Sequence, residues 1–157
     1  MAEIGKTKQA LANALKTQLK TESFASISVA RICEPCGISR KSFYYHFCDK
    51  YDLVNWIFRT EWLDLHTAPL TQEISSLCEY LYENRGFYRK VLCVNGQNSF
   101  GEYLHERCTA TVDRVEEFAS VFYADAFLCA ICRWLCERPT QTPAVFAQKL
   151  SECMRKR

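Results

Sequence analysis

The stretch SVARICEPCGISRKSFYYHFCDKYDLV, running from Ser28 to Val54, decides the fold. Ser28 suits the cap of a helix, because its side-chain oxygen can accept an N–H group that the first turn leaves without a partner. Val29, Ile32 and Cys33 then fall on one helical face. Gly37 is the kind of residue that ends a helix in the left-handed conformation. Ser39 opens a second, short helix, Arg40–His46, and Asp49 caps a third. A helix, a Gly-containing tight turn, a short helix and a capped third helix together have the spacing of a helix-turn-helix, whose second helix enters the major groove of DNA. Val29, Ile32, Ile38, Phe43 and Phe47 are the small core expected to hold the two helices at a fixed angle. Pro35 departs from the pattern. It falls where the first helix is expected, removes a bond to the Arg31 carbonyl, and predicts an early end or a kink.

The side chains left over have the chemistry of a polyanion contact. Ser39, Arg40, Lys41, Tyr44, Tyr45 and His46 include no acid. The helix starts at Ser28 and Ser39 present backbone N–H groups to a phosphate oxygen. Arg40 and Lys41, in the first turn of the recognition helix, can reach base edges or phosphates. Tyr44 brings an amphipathic ring to thymine methyls or sugars. Tyr45 and His46 can donate to the backbone, which positions without reading sequence. Lys50, just after the Asp49 cap, is placed for a flanking phosphate.

Working outward, charge divides the chain. Residues 1–50 carry eight Lys or Arg against four acids, a net of +4, while the rest carries twelve bases and fourteen acids, a net of −2. A basic head on a mildly acidic body points the polyanion surface to the N-terminal part. With 48% hydrophobic residues, only 5 Gly and 4 Pro, the 157 residues can bury a core and favour helices over a hairpin-rich β fold. The expected fold is all-α. Residues 1–50 form a three-helix DNA-binding head, and residues 51–157 a helical dimerisation and regulatory bundle.

Leu11, Ala14, Leu15 and Leu19 predict an amphipathic helix over about Lys6–Thr21. Beyond the head, helices are expected from Asp49 to about His66, then near Thr71–Asn84, Gly86–Val94, Phe100–Glu117, Ala119–Cys136 and Pro143–Arg155. The breaks rest on Pro69, Arg85-Gly86, Asn95-Gly96 and Arg138-Pro139. Met1–Lys20 is amphipathic and Lys-bearing, unlike an export signal, and no apolar run reaches the roughly 20 residues that span a bilayer. The expected location is the cytoplasm, with no membrane partner.

The run from Ile38 to Phe47, with Asp49-Lys50-Tyr51-Asp52-Leu53 after it, resembles the signature of the TetR family of transcriptional regulators. The resemblance covers about Lys6 to Phe58. It implies an all-α homodimer on a palindromic operator, with Ser28, Ser39, Arg40, Lys41, Tyr44, Tyr45, His46 and Lys50 at DNA-contact positions. It also implies a body that dimerises through its last two long helices and takes an effector, so an effector-released repressor is the leading expectation. Tyr51–Phe58 also resembles a short-bodied subgroup that includes activators of dihydroxyacetone kinase operons. There the body binds a ligand-sensing partner protein.

Other chemistry is thin. His46, His66 and His105 have no Ser, Cys or Glu at catalytic spacing, and there is no Gly-rich phosphate loop, so no enzyme and no cofactor is expected. Cys33-x-x-Cys36 and Cys129-x-x-Cys132-x-x-x-Cys136 have metal-like spacing, but both also lie on one face of a helix. Buried reduced thiols are the default and a redox or metal sensor the third reading. Trp56, Phe58, Trp62, Tyr80, Tyr82, Phe87, Tyr88 and Tyr103 suit a pocket or a core, with core preferred. Ala119–Cys136 is apolar around much of its circumference, and Phe122, Phe127, Leu128, Ile131, Trp134 and Leu135, with Phe146 and Leu150 of the last helix, are the candidate subunit interface.

Overall fold

Leu11, Ala14 and Leu15 recur at helical spacing, and in the computed structural model they form the buried side of α1 (Ala2–Gln18). The structure describes residues 2–68, 72–92, 94, 99–111, 117–137 and 141–155. Among these residues there is no strand. The helices after α1 are α2 (Val29–Cys33), α3 (Arg40–His46), α4 (Lys50–Glu61), α5 (Ile74–Glu83), α6 (Arg85–Val91), α7 (Phe100–Thr111), α8 (Glu117–Cys136) and α9 (Pro143–Arg155). The expected breaks at Pro69, Asn95-Gly96 and Arg138-Pro139 lie outside the described residues. The break expected at Arg85-Gly86 falls one residue earlier, at Asn84, whose carbonyl accepts from the N–H groups of Phe87 and Tyr88.

Pro35 does not kink α2. The α-helix ends at Cys33, and Glu34–Cys36 form a separate 3-10 turn with Pro35 in its opening residues, where a missing N–H costs nothing. Gly37, at φ 63°, takes the left-handed position, donating to the Glu34 carbonyl, while Ile38 donates to the Cys33 carbonyl. These nested bonds close the turn without a bulky residue in a forbidden conformation.

The three caps form as the sequence predicts. Ser28 Oγ accepts from Arg31 N–H at 3.4 Å and Ser39 Oγ from Ser42 N–H at 3.1 Å. The Asp49 carboxylate accepts from Asp52 N–H at 2.8 Å, and the Asp52 carboxylate reaches back to Cys48 N–H at 3.0 Å. Each capped start is worth about 1 kcal/mol, and together they fix where three short helices begin.

α4 carries the head into the body. Its buried side, Leu53, Val54, Ile57 and Phe58, ends in an aromatic cluster where Phe58 touches Trp62, Tyr80, Tyr88, Phe100 and Tyr103. Trp62 and Tyr88 are almost wholly buried, so these rings are core. Trp62 Nε1 donates to Ser76 Oγ, Ser76 pairs with His66 Nε2, and His66 Nδ1 donates to the Trp62 carbonyl, closing a ring of bonds that joins the end of α4 to α5.

α8 packs on α7 and α6, and α9 lies along α5. Trp134 stacks on Phe146 of α9, with centroids 4.4 Å apart, and on Tyr82 of α5 at 5.6 Å. By length and composition Phe118–Cys136 is apolar enough to cross a bilayer, contrary to the expectation that no such run exists. Its faces differ, however. One is core, and the other carries Asp125 and Arg133, charges that are costly inside a bilayer.

Candidate nucleic-acid interface

α3 is pinned from beneath and bare above. Phe43 and the following Phe47 are buried, with Phe47 edge-on to Trp56 of α4. Arg40, Lys41, Tyr44 and Tyr45 are exposed, the two tyrosines to 51% and 78%. Rings of that size normally seek burial, so two consecutive exposed ones on a helix with a packed underside mark a candidate contact surface. Ser39 is exposed at the start of this helix, and His46, half-buried, ends it with its ring 5.0 Å from that of Tyr45. Ser28 is exposed at the start of α2. The Ser28 and Ser39 hydroxyls already accept cap bonds, so what these two positions offer a phosphate is backbone N–H and any remaining hydroxyl proton.

Lys50 sits differently from the rest. Its Nζ donates to the carbonyls of Phe24 at 2.7 Å, Ile27 at 2.8 Å and Ala25 at 3.4 Å, and lies 4.5 Å from the centre of the Phe24 ring. Burial pulls its ammonium below the ordinary lysine range. The ammonium is thus turned inward onto the loop between α1 and α2, sharing the Phe24 carbonyl with the Ile27 N–H, and not extended toward a phosphate as expected for Lys50. Local spacing gave no sign of this, because the partners lie 23 to 26 residues away.

Other head cations are also committed. Lys16 pairs with Glu61 at 2.6 Å and Arg31 with Glu22. The head's basic excess facing solvent thus concentrates on Arg40 and Lys41, with Lys6 and Lys20 exposed elsewhere. Lys8, which the sequence did not single out, lies 5.3 Å from the Phe47 ring centre and 5.9 Å from that of Trp56.

Cys33 ends α2 and Cys36 lies in the 3-10 turn after it, so the two do not share one helical face as expected, and both are packing groups. Cys33 is buried, and Cys36 Sγ donates to the Ala10 carbonyl at 3.3 Å. Burial pushes both thiols above their ordinary range, which leaves them protonated at neutral pH.

The candidate interface residues divide by face. Phe127, Ile131, Trp134 and Leu135 are buried within the protomer, and Leu128, Phe146 and Leu150 pack against its core. They face their own bundle, because α8 and α9 must cover α5, α6 and α7. Those seven are thus spent on the protomer's own packing. Phe122 of the expected set differs, at 57% exposure on the outward side, where Phe118, 80% exposed, stacks on it at 6.4 Å, with Val121 beside them and Val145 on α9.

The family model for the N-terminal region of bacterial regulatory proteins of the tetR family matches residues 11–57, and a model for the transcriptional regulator C-terminal region matches residues 70–156. The chain belongs to the TetR family. Regulators of this family are transcription factors and not enzymes. A curated relative is the HTH-type dhaKLM operon transcriptional activator DhaS of Lactococcus lactis subsp. lactis (strain IL1403), 26% identical over 137 residues that span 82% of this chain and 72% of that protein. Among solved structures, a dihydroxyacetone kinase operon activator DhaS matches at a TM-score of 0.66 and 20% identity, covering 94% of this chain and 93% of that one. A TetR transcriptional regulator from Streptococcus agalactiae 2603V matches at 0.70 and 18%, covering 97% and 95%. NalD of Pseudomonas aeruginosa, the secondary repressor of the MexAB-OprM multidrug efflux pump, matches at 0.57 and 18%, covering 98% and 96%. These likenesses establish the fold of this TetR-family chain. They include activators and a repressor, so the fold alone does not set the direction of regulation.

Proposed function

We propose that this protein is a cytoplasmic, sequence-specific transcriptional regulator that binds a palindromic operator as a homodimer. The observation that carries the reading is α3 itself, a capped helix with Phe43 buried beneath and Arg40, Lys41, Tyr44 and Tyr45 bare above. Arg40 and Lys41 read base edges or hold phosphates, Tyr44 contacts thymine methyls or sugars, and Ser28, Ser39, Tyr45 and His46 position the head on the backbone. The outward face of α8, with Phe118, Val121 and Phe122, supplies the subunit contact. Two recognition helices must then meet half-sites roughly 34–36 Å apart.

Regulation follows from that spacing. Lys16 of α1 pairs with Glu61 of α4, Tyr80 of α5 donates to Glu61 at 3.1 Å, and Tyr88 of α6 lies 2.7 Å from the Tyr80 hydroxyl. Tyr80 has one proton and gives it to Glu61, so Tyr88 donates to Tyr80. A shift of the body, driven by a small effector, moves the heads through this chain and releases a repressor from DNA. A second reading, an activator whose body binds a ligand-sensing partner protein, is favoured by the Lactococcus relative, which is named as an activator. Selecting fragments bound by the purified protein from genomic DNA tests the shared core of both readings. Recovered fragments should share an inverted repeat; a pool without a common sequence would contradict it.

A further inference from the structure

We propose that the cleft between α1, the end of α3, α4 and α7 is a binding site for a small free anion that carries a carboxylate or phosphate group. The cleft measures about 250 Å³ and is lined by Lys8, His46, Asp52, Trp56, Arg59 and Tyr103, among others. That is just below the roughly 300–1,000 Å³ of sites for drug-sized ligands, so its occupant is small.

The charge around the cleft selects the sign of the occupant. Lys8 is held at the rim by the faces of Phe47 and Trp56, and among the described residues no carboxylate pairs with it. Arg59 is half-exposed and only loosely paired, its Nε 4.0 Å from Asp64. Tyr103 supplies a phenolic hydroxyl; around it Arg107, 5.3 Å from its ring centre, is offset by Glu106, and Asp64 by Arg59, so the sign rests on the lining itself. Asp52, the acid on the lining, has its carboxylate on Cys48 N–H at the start of α4. Its charge is partly spent on that helix end. Two cations from different helices on the lining of one polar cleft, with a tyrosine hydroxyl on the same lining, supply the donors a small oxyanion needs.

The position gives such binding a consequence. Lys8 and His46 belong to the head, His46 being the last residue of the recognition helix, whereas Tyr103 belongs to the body. An anion spanning these groups favours one setting of α3 relative to α7. Any change it makes in DNA affinity must be matched by an equal effect of DNA on anion affinity. Binding of the anion itself does not depend on the operator reading.

Calorimetric titration of the full-length protein with inorganic phosphate and with malonate, at ionic strength held constant by chloride, tests the site. Saturable binding of at least one of the two, at one site per chain, is expected. It should weaken at least about tenfold in Lys8→Gln and in Arg59→Gln, as the loss of a charge facing a bound charge requires. Arg59→Lys and the exposed control Lys6→Gln should retain it, and a circular-dichroism melt of each variant checks that the head is folded. Absence of saturable heat with both anions, or equal binding by wild type and Arg59→Gln, overturns the proposal. So does a cleft that ignores both anions while Lys8→Gln and Arg59→Gln flatten the salt dependence of duplex binding, which would assign it to the DNA backbone.

Discussion

Lys90 of α6 donates a hydrogen bond of 2.5 Å to the carbonyl oxygen of Leu19, 71 residues earlier, and a second of 3.0 Å to the carbonyl of Glu22. Leu19 and Glu22 lie just past α1, where carbonyls have no helical partner, and a body lysine supplies the donors. Together with Lys50 on Phe24, Ala25 and Ile27, this makes the loop between α1 and α2 a segment gripped from two sides. Lys90→Met keeps most of the apolar stem and deletes the donors. It should lower stability by about 1–3 kcal/mol, the usual range for bonds from a charged donor, read as a shift of the urea midpoint. An unchanged midpoint would mean the bonds are replaced by water at no cost.

Lys50 and Lys41 should behave as opposites. Lys50→Met should cost about 1–3 kcal/mol of stability, since its carbonyls lose a charged donor, yet leave the salt dependence of DNA binding as it was. Lys41→Gln should leave stability nearly unchanged and reduce the slope of log K against log salt by about one, as loss of a single phosphate contact does. The reverse pattern would restore Lys50 as a phosphate ligand and remove Lys41 from that role.

The two faces of α8 predict two kinds of mutant. Phe127→Ala, on the buried face, should destabilise the protomer by about 3–5 kcal/mol through loss of burial and the cavity left behind. Phe122→Glu, on the exposed face, should preserve helical content but shift the sedimentation mass from dimer to monomer. A Phe122→Glu protein that remains dimeric would move the subunit contact away from this face.

Alkaline pH should unfold the molecule from within. Burial pushes the thiols of Cys78 and Cys108 up to about 12, and raises the hydroxyls of Tyr80 and Tyr88. The folded chain holds these protons while the unfolded chain releases them near 9 for the thiols and near 10 for the tyrosines. The associated stability is therefore fully present below pH 9 and declines as pH rises toward 12. Urea midpoints measured at pH 8, 9 and 10 should fall in order. Cys78→Ala should show a shallower decline, and a flat series in the wild type would contradict the burial of these groups.

The head was legible in the sequence because its signals are local. Ser28, Gly37, Ser39 and Asp49 each act within three or four residues, and all four sit in the structure where cap and turn chemistry put them. Pro35 was readable as a disturbance, but whether as a kink or as the opening of a separate turn depended on the carbonyls of Cys33 and Glu34 finding donors in Ile38 and Gly37. Lys50 and Lys90 escaped because their carbonyl partners are remote in sequence. α8 escaped for another reason. Apolar residues surround the helix, so periodicity gives little contrast between Phe122, which is bare, and Phe127, which is buried. Only packing against α6 and α7 separates the two faces.

Anisotropy of a labelled operator fragment, titrated with wild-type and Arg40→Ala protein at physiological salt, tests most directly whether α3 enters the groove. Loss of a base-edge or phosphate contact predicts affinity at least about tenfold weaker, with the fold unchanged by circular dichroism. Arg40→Ala protein that binds the fragment as tightly as wild type, with the same salt slope, would contradict it.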